Sequence, residues 1–310
     1  MTHLDRRRFV SGLTALPLIA GPATGLLAGA AQAAENGAYN TIPIRGVDVP
    51  AIGIGTARHY ADPQGEAQLA PLRATLAKFV ELGGKVIDTA PSYGKAEDVL
   101  GQLIADLGVR DKLYIATKVG VNSLEEGKAQ VEASFTKLRT DRLDLIAVHN
   151  LRDVNNQLAL LRDLQAAGRV GAVGITTSFA PQYEEFEAVM RRTPLDSIQV
   201  DYALDNRGAE ERILPLAQEK GIAVMINLPF GRGRLFEATR GKPLPDWATE
   251  IGAASWAQVF LKYILSHPSR PMPIPGTQTP AYAEDNLGAA RGTLPDAALR
   301  KRMEQFIDEL

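Results

Sequence analysis

The sequence predicts a (β/α)8 barrel, and three observations predict it. Short apolar runs alternate with helix-periodic segments eight times across about 250 residues. The runs are continuously apolar rather than alternating, as strands buried on both faces of a parallel sheet must be. Three successive runs end on Asp88, Lys118 and His149. Such positions face the rim where barrel enzymes build their active sites.

The elements follow in chain order. Asp5-Arg6-Arg7-Arg8-Phe9-Val10 is a twin-arginine segment, followed by an Ala/Gly/Leu-rich run and the small-x-small sequence Ala31-Gln32-Ala33. This is the pattern of a Tat-type signal peptide over 1–33, leaving one domain over 34–310. It implies the Tat export machinery as a partner, a periplasmic or exported destination, and no stable membrane span after cleavage. Thr41–Ile44 and Val47–Pro50 form a hairpin over Arg45-Gly46. Ile52 to Thr56 is the first core strand, and Leu69, Leu72, Leu76, Phe79 and Val80 repeat at helical spacing after it. Val86-Ile87 is the second strand, with a helix opening near Ala96. The third to eighth strands are expected over 113–118, 143–149, 170–175, 197–202, 223–226 and 271–274, each followed by a helix. A Gly/Pro/Arg-rich loop separates Asn227 from Glu250, and an amphipathic helix ends the chain. A doubly wound sheet is the alternative fold, but Gly53-Ile54-Gly55-Thr56-Ala57-Arg58 lacks the third glycine of a dinucleotide fingerprint.

Composition narrows the function. The 310 residues carry a net charge of −2 and no basic stripe, so nucleic acid is not an expected partner. There is no cysteine, which excludes disulfides, thiolate metal sites and cysteine nucleophiles. The four histidines share no metal-ligand spacing, so no metal site is expected.

Asp88, Tyr93, Lys118 and His149 together make an acid-catalysis device. A phenol holds its proton too tightly to act as an acid near neutrality. An adjacent lysine ammonium is expected to lower the Tyr93 pKa, and Asp88 to keep Lys118 charged despite burial. His149 can polarise a carbonyl oxygen. No side chain supplies a hydride, so a nicotinamide cofactor is implied.

The run Asp88-Thr89-Ala90-Pro91-Ser92-Tyr93-Gly94, with Lys118 and Val148-His149-Asn150, resembles the aldo-keto reductase family in order and spacing over nearly the whole chain after the signal. The resemblance implies a (β/α)8 barrel with the hairpin plugging its floor. It implies reduction of small aldehydes or ketones, or the reverse, with Tyr93 as general acid and the chain acting as a monomer. The implied cofactor is NADP(H), with NAD(H) open. Thr176 and Thr177 stand where the family holds the nicotinamide carboxamide with a Ser-Asn pair, and Gln199 matches its carboxamide-binding Gln. Asn227 replaces a tyrosine that stacks on the nicotinamide. The loop from Asn227 through Phe230, Arg232 and Arg234 resembles the one covering the pyrophosphate. Gly276, Thr277, Tyr282, Asp285 and Asn286 fall on the adenosine motif, with Gly276 and Tyr282 where a 2′-phosphate would meet basic residues. A nucleotide-sensing protein on the same barrel is the alternative from another class. A metal-dependent hydrolase would need more carboxylate and His ligands at strand ends than Asp88 and His149 provide.

Overall fold

The structure is a computed structural model and describes residues Tyr39–Leu310. The predicted signal peptide lies outside the described residues. Thr41–Ile44 (β1) and Val47–Pro50 (β2) form the expected hairpin, paired Ile44 to Val47. It is followed by an eight-stranded parallel sheet whose order follows the chain: Ile54–Gly55 (β3), Val86–Asp88 (β4), Tyr114–Val119 (β5), Leu143–His149 (β6), Val170–Thr176 (β7), Ser197–Asp201 (β8), Ala223–Asn227 (β9) and Met272–Pro273 (β10). Helices join successive strands, among them Glu66–Glu81 (α1), Ala96–Leu107 (α2), Leu124–Lys137 (α3), Val154–Ala166 (α4), Tyr183–Arg192 (α5) and Ile213–Lys220 (α6).

The sheet curls until its first and last strands come within hydrogen-bond reach. Gly53 N donates to Pro273 O at 3.1 Å and Gly55 N to Pro275 O at 3.3 Å. Pro273 and Pro275 have no N–H to return, so the bonding there runs one way. Glycine is required on the facing strand. A Cβ at Gly55 would lie 2.8 Å from Ile274 O, and one at Gly53 2.9 Å from Ile274 Cγ2. This accounts for the two-residue length of β3 and β10, both shorter than the sequence suggested.

The hairpin packs Ile42, Ile44 and Val49 into the core, and Arg45 pairs with Asp196, which precedes β8. A cavity of about 410 Å³ lies between the hairpin and the residues leading into β4, β5 and β6, at the end of the sheet away from Asp88 and His149.

The stretch read as a loop from Asn227 to Glu250 is partly helical. Arg234–Ala238 (α7) is a short α-helix, flanked by 3-10 turns at Gly231–Gly233 and Asp246–Ile251. Buried Leu235, Trp247, Ala248 and Ile251 anchor it, and the Phe230 and Phe236 rings pack tilted at 56°, with centroids 4.8 Å apart. The spacing is too short for periodicity to show. Trp256–Leu265 (α8), Pro280–Gly288 (α9) and Ala297–Asp308 (α10) complete the chain, with Ser255 capping α8 and Asp296 capping α10.

Candidate active site

Strands β4, β5 and β6 run side by side, so Asp88, Lys118 and His149 reach the same rim. Lys118 is 2% exposed and donates to Asp88 Oδ1 at 2.7 Å, Asp88 Oδ2 at 2.8 Å and Thr89 O at 2.8 Å. These three bonds match the three N–H donors of an ammonium. The ammonium also lies 5.0 Å from the Tyr93 ring centroid. The Tyr93 and His149 rings meet edge to face, with centroids 6.1 Å apart. The four residues named from the sequence therefore stand together.

The loop carrying Tyr93 is tied down by its neighbours. Thr56 donates its N–H and its hydroxyl to Asp88 O, at 3.1 and 3.0 Å. Lys95 N donates to Ala61 O at 2.6 Å. Gly94 has φ +59, and a Cβ there would lie 2.5 Å from Ala61 O. Glycine is required for the close approach that fixes the tyrosine.

Burial sets the electrostatics. It pushes the Tyr93 phenol above its ordinary pKa, with Lys118 only partly countering and Asp88 adding to the rise. The expected downward shift is thus reversed, because burial outweighs the pull of Lys118. Burial also raises the Asp88 carboxyl, with Lys118 opposing. Burial works against the Lys118 charge, but Asp88 and Tyr93 more than offset it and the ammonium titrates above its ordinary value. Burial, then Lys118 and Arg152, push His149 down to about 3, so its ring is neutral at pH 7. Ser92 Oγ lies 3.4 Å from its Nδ1. Tyr93 holds a transferable proton and His149 is an uncharged polar contact.

The second group of residues lines the rim after β7 to β10. Thr176, Thr177 and Gln199 are buried, and Asn227 is half-buried. Gln199 Nε2 and Asn227 Oδ1 are buried without a hydrogen-bond partner. Thr177 Oγ1 donates to Gln182 Oε1 at 2.6 Å and accepts from Phe179 N at 3.1 Å. Arg234 is paired with Asp205 at 2.8 Å. Arg232 is exposed, has φ 58, and has no carboxylate within ion-pair distance among the described residues. Phe230 serves the aromatic cluster of the loop. Gly276 lies against Gly55, where a Cβ would be 3.0 Å from Gly55 O. Thr277 and Asn286 are buried and Tyr282 is 63% exposed. Asp285 is engaged by Ser255 at 2.6 Å and Gln258 at 2.8 Å. Among the described residues, no three His, Asp or Glu side chains converge as a metal ion would need.

The Aldo/keto reductase family profile matches residues 51–305. The chain belongs to the aldo/keto reductase family. It is 31% identical to the methylglyoxal reductase YeaE of Escherichia coli over 261 residues, covering 82% of this chain and 89% of that one. It is 31% identical to the aldo-keto reductase YhdN of Bacillus subtilis over 212 residues, 64% of this chain and 63% of that protein. The crystal structure of an aldo/keto reductase from Klebsiella pneumoniae in complex with NADP and acetate superposes with a TM-score of 0.73, at 25% identity, covering 87% of this chain and 96% of that one.

For an aldo/keto reductase, three further residues matter that the sequence did not single out. Gln182 holds Thr177 and also donates to Asn150 O at 3.1 Å. Asp205 holds Arg234. Asp201 ends β8 and resembles a rim acid, but it accepts from Tyr183 OH and Asn206 Nδ2, both at 2.8 Å. The only sequence signal was a carboxylate or amide within loop reach of a candidate site residue.

Proposed function

We propose that this aldo/keto reductase reduces a small carbonyl compound to an alcohol, with NADP(H) as cofactor and Tyr93 as general acid. The observation that carries the reading is the Lys118 ammonium held between the Asp88 carboxylate and the Tyr93 ring. The arrangement orients the phenol beside a neutral imidazole, and both polar edges can meet one carbonyl oxygen. A nicotinamide held here would be the source of the hydride, and Tyr93 is placed to give its proton to the carbonyl oxygen.

The residues fit such a cofactor. The unpartnered Gln199 Nε2 and Asn227 Oδ1 suit a carboxamide, and the free Arg232 suits a phosphate. Thr176 adds a buried hydroxyl, and Thr277 and Asn286 line the expected adenosine end. The relatives support the assignment, since one is named a methylglyoxal reductase and a structural neighbour contains NADP. We read the curled sheet as a complete (β/α)8 barrel, with the hairpin plugging its floor and the chain acting as a monomer. Export by the Tat route remains part of the proposal, and sequencing the amino terminus of periplasmic protein tests it.

The functional test follows NADPH oxidation against a panel of aldehydes, beside a fluorescence titration of the cofactor. Turnover with micromolar cofactor binding is expected. Nucleotide binding without turnover on any aldehyde would reject the catalytic reading in favour of a sensing protein.

A further inference from the structure

Against the Nδ1 side of His149 lies a cavity of about 60 Å³, bounded by Ser92, Gly120, Gln130, Asn150 and Arg152. No carboxylate lines it. Its polar side chains offer donors. Gln130 Oε1 already accepts from Gly120 N at 2.7 Å, so its NH2 is what remains. Arg152 donates one N–H to Gly120 O at 3.1 Å, which fixes the guanidinium and leaves its other donors uncommitted. Among the described residues no carboxylate comes within ion-pair distance of Arg152 (the acids of the rim are matched elsewhere, as Asp88 is by Lys118).

The backbone is shaped to make this cavity. Asn150, Leu151 and Asp153 have φ of 54, 55 and 44, so the chain after His149 bends sharply and carries Arg152 back over Gly120. Two bonds hold the bend: Asn150 N donates to Thr176 O at 2.7 Å, and Gln182 Nε2 to Asn150 O at 3.1 Å. A Cβ at Gly120 would lie 2.9 Å from His149 Cβ, so glycine keeps the floor open.

We infer that this cavity binds a carboxylate of the substrate, and that the preferred substrate is an aldehyde or ketone bearing a carboxylate remote from its carbonyl. The inference rests on the reductase reading above. Its size suits a carboxylate rather than a ring, since a water takes about 30 Å³. The planar fork of a guanidinium matches a carboxylate. Ser92 takes the Nδ1 side of His149, leaving Nε2 for the carbonyl oxygen. The carbonyl and the carboxylate then lie on opposite sides of the imidazole ring, a separation that an unbranched oxo acid spans.

The test compares 4-oxobutanoate with its methyl ester. The native enzyme should favour the acid in kcat/KM by about tenfold or more, the scale of one charge-assisted contact. In Arg152→Ala the acid-to-ester ratio should fall by about tenfold, through KM rather than kcat, and Arg152→Lys should restore part of it. A ratio near one in the native enzyme, or one unchanged in Arg152→Ala, overturns the assignment. A second measurement needs no turnover. Glutarate is titrated while the His149 ring signals are followed by NMR. A saturable shift in the native protein that is lost in Arg152→Ala supports the site, and the same response in both overturns it. If neither compound is reduced while other aldehydes are, the substrate assignment is overturned; if no aldehyde is reduced, the reductase reading fails, and the glutarate titration still decides whether the cavity holds an anion.

Discussion

The two halves of the rim differ in how their polar groups are partnered. After β4, β5 and β6 the four candidate catalytic residues hold one another, although the Thr89 hydroxyl beside them is buried without a partner: Lys118 is bound by three oxygens, and Tyr93 and His149 meet edge to face. After β7 to β10 there are gaps: Gln199 Nε2 and Asn227 Oδ1 have no partner, and Arg232 and Tyr282 stand exposed. An unsatisfied buried polar group costs about 1–3 kcal/mol. Groups that need a fixed protonation state are therefore set before any ligand arrives. Groups that must grip a ligand keep their bonding capacity free, at a standing cost that binding offsets.

The largest effect should come from breaking the closed half. Asp88→Leu leaves the 2%-exposed Lys118 ammonium without its carboxylate. A loss of about 3–5 kcal/mol in denaturant unfolding is expected, with most of it regained in Asp88→Leu/Lys118→Met. A loss below about 1 kcal/mol would mean that the pair is not the buried unit described here.

Tyr93→Phe tests the same half without touching its fold. Carbonyl reduction should fall by about 10²-fold or more, the scale of losing a general acid. Cofactor affinity should be nearly kept, because the cofactor contacts lie in the other half. Because burial raises the Tyr93 pKa, reduction should be level through neutral pH and fall only in strongly alkaline solution. Turnover close to that of the native enzyme would remove Tyr93 from the mechanism.

The open half predicts smaller effects on binding. Gly276 and Tyr282 carry no charge, and Arg234 is taken by Asp205, which leaves Arg232 as the free cation between Asn227 and Arg234 among the described residues. NADPH should be preferred over NADH by less than about a thousandfold in Kd. Arg232→Ala should weaken both cofactors by roughly ten- to a hundredfold, the range of one charge-assisted contact. A larger preference for NADPH, unaffected by Arg232→Ala, would mean that another base grips the 2′-phosphate.

The halves also differ in how far the sequence could be read. Asp88, Lys118 and His149 were legible because strand ends are fixed by the core. Val86-Ile87 and Leu145 to Val148 are buried on both faces, and the next residue must emerge at the rim. Tyr93 followed from its Gly/Pro-punctuated loop. The partners of Thr177, Arg234 and Asp285 were not legible, because Gln182, Asp205, Ser255 and Gln258 approach across loops and helix starts that no periodicity encodes. The Tyr93 pKa was missed for a related reason. Spacing put a lysine beside the phenol, but only the geometry shows that burial outweighs it. At the sheet edges, Gly53, Gly55, Pro273 and Pro275 let the backbone meet while supplying few ladder bonds, so strands there end sooner than apolar runs suggest.

The smallest effect, reckoned per pH unit and per ring, concerns acid. His149 in the closed half titrates at about 3, and His267, packed near Arg300 on the outer face, at about 4. In both, burial is the main cause, with nearby cations adding to it. An unfolded histidine has a pKa near 6.5. Below that value the unfolded chain binds protons that the folded chain refuses, so stability should fall as pH drops from about 6.5. The slope is at most about 1.4 kcal/mol per pH unit for each ring. His267 should stop contributing near pH 4 and His149 near pH 3, while above pH 7 neither should matter. Urea unfolding between pH 7 and 4 measures the slope, and His149→Phe and His267→Phe separately should each remove one proton's share. If His149→Phe leaves the slope unchanged, the imidazole takes up its proton in the folded state. Arg152 and Lys118 would then not be holding it neutral, and the closed half would lose the fixed protonation that sets it apart.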